Sequence, residues 1–141
     1  MSEHRELLKQ LAREVALMPQ EEMLGLKRRD KSLQIGIPKE IAYQEHRVPL
    51  TPAAVAVLVG RGHEVVVERG VGAAVQFQDT DYSEAGSRLV DGPKEVFKTG
   101  LILKVGPPSL KEIERLQPKQ ILLSALQLSV APKDSLRRLM A

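Results

Sequence analysis

Four short aliphatic runs, QIGI at 34–37, EVVVE at 64–68, LILKV at 101–105 and QILLSA at 120–125, leave this chain few ways to fold. Each is rich in Ile, Val or Leu, is bounded by turn formers, and is too short for a helix. Strands buried on both faces of a parallel sheet read this way. Helix signals fill the gaps between them. Thr51 followed by Pro52 is an N-cap with proline at the first helical position, and Gly60 to Gly62 closes the segment, so PAAVAVLVGR is expected to be a helix. Ser109 and Glu112 make a capping box for SLKEIERL, with Pro118 just past its end. Asp79 or Thr80 is expected to cap DYSEAG, and Pro93 opens PKEVFK. Strand alternating with helix throughout predicts an α/β fold with a doubly wound, mostly parallel sheet and right-handed crossovers.

The region before the first run has another period. Leu7, Leu8, Leu11 and Val15 form the stripe of an amphipathic helix over residues 3–17. Met18-Pro19 ends it, a second short helical turn follows, and the charges from Lys27 to Lys31 read as a solvated linker. The division is therefore an N-terminal helical arm at 1–33 and one domain at 34–141. A chain of 141 residues with 43% hydrophobic content is long enough for one such core.

Composition removes several functions. The chain has no cysteine, which excludes disulfides, thiolate metal sites and cysteine nucleophiles and is compatible with a reducing compartment. The 21 basic and 18 acidic residues nearly cancel, and two Phe, two Tyr and no Trp are too few to stack bases along a groove, so no nucleic-acid partner is expected. The start MSEHRELLKQL is charged, and no apolar run reaches the roughly 18 residues of a membrane span. No membrane partner is expected, and a cytoplasmic location follows by default.

In doubly wound sheets, ligands sit beyond the carboxyl ends of the strands. IGI ends at Pro38 and delivers Lys39, Glu40 and Arg47 to that edge, while LILKV brings Lys104 there. A lysine at the end of a buried strand either snorkels past apolar neighbours to water or stands in a partly dry cleft, where it donates to a substrate carbonyl or amine. Arg47 complements the second role, because a planar guanidinium grips a carboxylate with two parallel hydrogen bonds. Together they suit a small oxo acid. His63 follows a helix end, His46 stands beside Arg47 and His4 lies in the arm. No pair has metal-ligand spacing, so no metal is expected.

The segment from IGIPKEIAYQEHRVPLTP through GHEVVVERGVG, then DTDYSEAGSRLV and LILKVGPP, resembles the N-terminal block of alanine dehydrogenases and of the related NAD(P) transhydrogenase alpha subunits over about 34–132. The resemblance implies a flavodoxin- or Rossmann-like substrate domain. It further implies that Arg47 holds the substrate carboxylate and that Lys104 contacts the substrate's oxo or amino group, with Lys39 and Glu40 in support. Substrate would be a small amino or oxo acid, alanine or pyruvate; the cofactor would be NAD, and the protein a homo-oligomer. The family usually carries a histidine where this chain has Gln127, so Gln127 is expected to bind substrate with Arg47 and Lys104; glutamine hydrogen-bonds but moves no proton. GRG at 60–62 and GVG at 70–72 are a helix stop and a turn, not a dinucleotide fingerprint, so no cofactor-binding residue is expected here and the chain reads as a fragment. The reading is the substrate-binding part of an NAD-dependent alanine dehydrogenase, inactive alone. The alternatives are a transhydrogenase alpha-like subunit, a saccharopine-type dehydrogenase relative, and a stand-alone small-acid binding module.

Overall fold

The apolar interiors of β1 (Gln34–Ile37) and β2 (Glu64–Glu68) have a direct cause, because apolar clusters lie on both faces of the sheet. Successive side chains of a strand point to opposite faces. Ile35, Ile37, Val65 and Val67 enter one cluster with Val55, Val71 and Tyr82. Val66 enters the other with Val90, Val96, Phe97 and Ile102. The computed structural model describes residues 31–42, 44–127, 129 and 131–141. The helix expected at 3–17 and the rest of the arm to residue 30 lie outside the described residues.

After β1 and a long loop comes α1 (Pro52–Gly60), whose Ala54 N–H donates to the Thr51 hydroxyl at 3.3 Å, as the Thr-Pro signal predicts. After β2 the chain makes a short 3-10 turn (Ala73–Val75) and enters α2 (Asp79–Glu84) and β3 (Arg88–Val90). Then follow α3 (Pro93–Val96), β4 (Leu101–Leu103), α4 (Leu110–Ile113), β5 (Ile121–Leu123) and α5 (Lys133–Met140). The five strands lie in the order β3-β2-β1-β4-β5, and every neighbouring pair is parallel. Register sets Ile35 between Val65 on one side and Leu101 on the other. The fold is thus the expected α/β architecture. No helix among the described residues is long and apolar enough to cross a membrane.

Gly36 shows how tightly one face is filled. A β-carbon there would overlap the Thr99 hydroxyl and lie 2.6 Å from the Val96 carbonyl oxygen, so α3 packs directly on the β1 backbone. Only glycine permits that approach.

Several boundaries differ from the sequence expectation. The LILKV strand stops at Leu103, and Lys104 follows it, its N–H donating to the Leu123 carbonyl at 2.9 Å. The QILLSA run contracts to Ile121–Leu123: the Gln120 backbone N–H turns to the Gln117 carbonyl at 3.3 Å, and its side chain donates to the Phe97 and Thr99 carbonyls. Helix α2 is capped by Gln78 rather than Asp79 or Thr80, through a box in which Asp81 accepts from the Gln78 N–H at 2.7 Å. Asp79 is otherwise engaged, accepting the Gly70 N–H at 2.8 Å. SLKEIERL keeps its capping box but forms only the single turn of α4. Strand β3, three residues beginning with Arg88 at the sheet edge, was not expected at all.

Candidate functional site

Strand order reverses between β1 and β4, since the chain runs outward through β2 and β3 on one side and through β5 on the other. The loops leaving the carboxyl ends of β1 and β4 therefore diverge, and ligands of open α/β sheets bind in the crevice so formed. Residues 38–51 supply one wall and residues 104–109 the other. Of the site residues singled out in the sequence, Lys39, Glu40, Arg47 and Lys104 belong to these two loops, and Gln127 does not.

Lys104 is enclosed. Its ammonium donates to Glu40 at 3.1 Å and to Glu112 at 2.9 Å, and the three side chains are 0%, 5% and 3% exposed. Two carboxylates around one ammonium leave an excess negative charge that burial makes costly unless other donors meet it. Backbone N–H groups meet it here. Glu40 accepts from Val105 at 2.6 Å and Gly106 at 3.3 Å, and Glu112 accepts from the Ser109 N–H at 2.8 Å and hydroxyl at 3.0 Å. Glu112 thus has two tasks, capping α4 and holding Lys104. Sequence reasoning found the capping box but not this second contact, since a capping signal carries no information about what the other carboxylate oxygen touches. The lysine does not reach solvent, as snorkelling would require.

Arg47 is 72% exposed at its side chain and paired with a neighbour. Its Nε–H and one NH2 hydrogen donate to the two Glu45 oxygens at 2.9 and 2.8 Å, and its backbone N–H donates to Glu45 Oε1 at 3.0 Å. These hydrogen bonds hold the Glu45 carboxyl down from its ordinary 4.5 to about 2, while the carboxylate raises the guanidinium further. Because the folded value lies below the ordinary one, the pair is complete above pH 4.5 and is lost as pH falls through about 2. A carbon-detected NMR titration of Glu45 is expected to give its midpoint near that lower value; a midpoint at the ordinary 4.5 would show that the pair does not form.

Lys39, Glu40, Glu45, His46 and Arg47 line a concavity of about 340 Å³ with the small residues of the loop after β2, among them Gly70 and Ala73. Gln127, in the left-handed region at φ 48°, lines a different concavity of about 540 Å³ with Pro107, Pro108 and Leu126. Ile41 and Ala42 line both. Of the sequence-predicted site residues, the fold gathers Lys39, Glu40 and Arg47 at one opening, sets Lys104 behind Glu40, and places Gln127 on the neighbouring opening. A cation beside a small-walled concavity is suited to a compact carboxylate.

The crevice does not suit a dinucleotide. The loop after β1 has no glycine turn to bring its backbone to a pyrophosphate, and the N–H groups of Val105 and Gly106 after β4 are filled by Glu40. Glu68, at the end of β2 where a ribose hydroxyl would be bound, accepts the Lys39 N–H at 2.8 Å.

Residues 36–141 match the family model described as alanine dehydrogenase/PNT, N-terminal domain. The alanine dehydrogenase of Staphylococcus saprophyticus subsp. saprophyticus is 41% identical over 95 residues, covering 67% of this chain and 26% of that protein. A solved structure of L-alanine dehydrogenase superimposes with a TM-score of 0.73 at 37% identity, over 77% of this chain and 30% of the other. The transhydrogenase structure from Sinorhizobium meliloti gives a TM-score of 0.61 at 31% identity, over 64% and 27%. The chain spans about a quarter of the length of the alanine dehydrogenase it matches.

Proposed function

Because the chain belongs to the alanine dehydrogenase/PNT N-terminal domain family, we propose that it is the substrate-binding domain of an NAD-dependent alanine dehydrogenase, which converts L-alanine, NAD and water to pyruvate, ammonium, NADH and a proton. The observation that carries this reading is the gathering of Arg47, Lys39 and Glu40 around one small concavity at the β1–β4 switch point, with Lys104 directly beneath. Arg47 anchors the carboxylate of alanine or pyruvate. Lys104 polarises the oxo group or holds the imine once Glu40 yields its face of the enclosed ammonium. Lys39 adds positive charge at the rim. Gln127 hydrogen-bonds from the adjacent opening and moves no proton. NAD, the cofactor this reading implies, is not held by this domain, whose crevice does not suit it. A cytoplasmic homo-oligomer accompanies the reading.

A second reading, a transhydrogenase alpha-like subunit, is favoured by Gln127, which cannot perform proton transfer. Pyruvate titration of the chain, followed by amide NMR shifts, separates the two. Saturable shifts at residues 39–47 are expected, with Arg47→Ala weakening binding about ten- to a hundredfold through loss of a charge-assisted pair. Unchanged binding in that variant would place the carboxylate elsewhere. No saturable shift with any small acid would favour the transhydrogenase-like reading.

A further inference from the structure

We propose that Glu45 and Arg47 together form a receptor for a zwitterionic α-amino acid, Arg47 taking the carboxylate and Glu45 the ammonium, so that Glu45 selects the amino acid over the corresponding oxo acid. The inference rests on the assignment of the Arg47 concavity as an amino- or oxo-acid site.

The ion pair is one-sided. Glu45 takes the Nε edge of the guanidinium with two near-parallel hydrogen bonds, and a guanidinium has five N–H donors, so three remain along the NH1 and NH2 edge. That edge belongs to a side chain 72% exposed, so a second carboxylate can dock there without displacing the first. Glu45 is the fixed partner. Its side chain is only 12% exposed, it receives three donors from Arg47, and it lines the same concavity. The turn before it is set by Gln44, in the left-handed region at φ 60°, with the Glu45 N–H donating to the Ala42 carbonyl at 3.1 Å. A carboxylate oxygen accepts more than one hydrogen bond, and Oε2 has a single donor from Arg47, which leaves it capacity for an ammonium.

Charge then decides between ligands. An oxo acid is a plain anion: it gains from Arg47 and is repelled by Glu45. An α-amino acid presents an opposite charge to each member of the pair, so Glu45 contributes with opposite sign to the two ligands. A single charge contact at about 4 Å near a protein surface changes affinity by roughly tenfold or more. The other carboxylate at this opening, Glu40, is committed to Lys104 and to two backbone N–H groups, which leaves Glu45 to make the distinction. Gly70, Ala73 and Ala74 offer no charge to compete for either end of the ligand, and their small size admits a short aliphatic side chain.

The test is an amide NMR titration of the 141-residue chain with L-alanine, pyruvate and propionate, in the native sequence and in Glu45→Gln. Glutamine keeps an acceptor for Arg47 and removes the charge. The native chain is expected to bind alanine more tightly than pyruvate or propionate. Glu45→Gln is expected to weaken alanine about tenfold while leaving pyruvate unchanged or tightening it, which reverses the preference. Equal weakening of alanine and pyruvate would overturn the proposal and reduce Glu45 to a residue that orients Arg47. No effect on either ligand would overturn it as well. If the native chain binds none of the three acids, the carboxylate assignment of the concavity fails and the receptor fails with it; binding of pyruvate with no preference for alanine refutes the receptor alone.

Discussion

Lys104→Met is expected to cost about 3–5 kcal/mol of folding free energy, a large part of the roughly 5–15 kcal/mol available to a domain. Methionine fills similar volume, so the loss comes from charge rather than from a cavity. Glu40 and Glu112 each have Lys104 as their ion-pair partner among the described residues, and both side chains are almost completely buried. Without the ammonium they face each other across a dry interior with only backbone N–H groups and one hydroxyl to answer them. Urea unfolding followed by circular dichroism measures the change. The companion variant Lys104→Met with Glu112→Gln, which removes one of the stranded charges, is expected to recover part of it. A shift below about 1 kcal/mol in the single variant would mean that the ammonium does not sit between the two carboxylates. The same argument explains why Arg47 and Glu45, which line the opening, are the residues to alter when binding is measured: changing Lys104 changes the fold first.

How much of this was legible in the sequence depends on whether the signal is local. Strands β1 and β2 have the expected bounds, because burial on both faces leaves only aliphatic residues and one glycine at their interior positions. The Thr51 cap and the Ser109–Glu112 box were equally plain, since a cap is a contact over three residues. Strand β3 was missed because an edge strand of three residues, opening on an exposed arginine, has no apolar run to betray it. The surroundings of Lys104 were legible only in part. Its place at the end of a strand follows from pattern, but Glu40 lies 64 residues earlier and arrives only because β1 and β4 are adjacent in the sheet. Glu45 is two residues from Arg47, yet spacing alone does not announce the pair. It needs the left-handed turn at Gln44, a conformation glutamine seldom advertises. Gln127, expected to bind substrate with Arg47 and Lys104, lines a neighbouring opening that shares Ile41 and Ala42 with the Arg47 opening.

Tyr82→Ala is expected to destabilise the chain by about 3–5 kcal/mol, the usual cost of deleting a buried aromatic side chain, and Tyr82→Phe by about 1 kcal/mol. Tyr82 is 0% exposed and packs in the cluster of Ile35, Ile37, Val65 and Val67, with its ring edge-on to Phe77 at 6.3 Å. Its hydroxyl donates to the Leu50 carbonyl at 2.9 Å, one residue before the Thr51 cap and three after Arg47. The alanine variant therefore empties the core beneath β1 and β2, whereas the phenylalanine variant keeps the packing and frees only the end of the loop that bears Arg47. Burial pushes the phenol up to about 12 from its ordinary 10. A raised value means that the neutral form is the one the fold favours, so this contribution is complete below pH 10 and is lost as pH rises toward 12. Unfolding by urea at pH 7 measures both substitutions, and repeating it at alkaline pH is expected to show a steeper loss for the native chain than for Tyr82→Phe, which has no phenol to ionise. Equal alkaline slopes in the two would show that the hydroxyl is in contact with water, and the anchor at Leu50 would then not fix the loop from which Arg47 and Glu45 act.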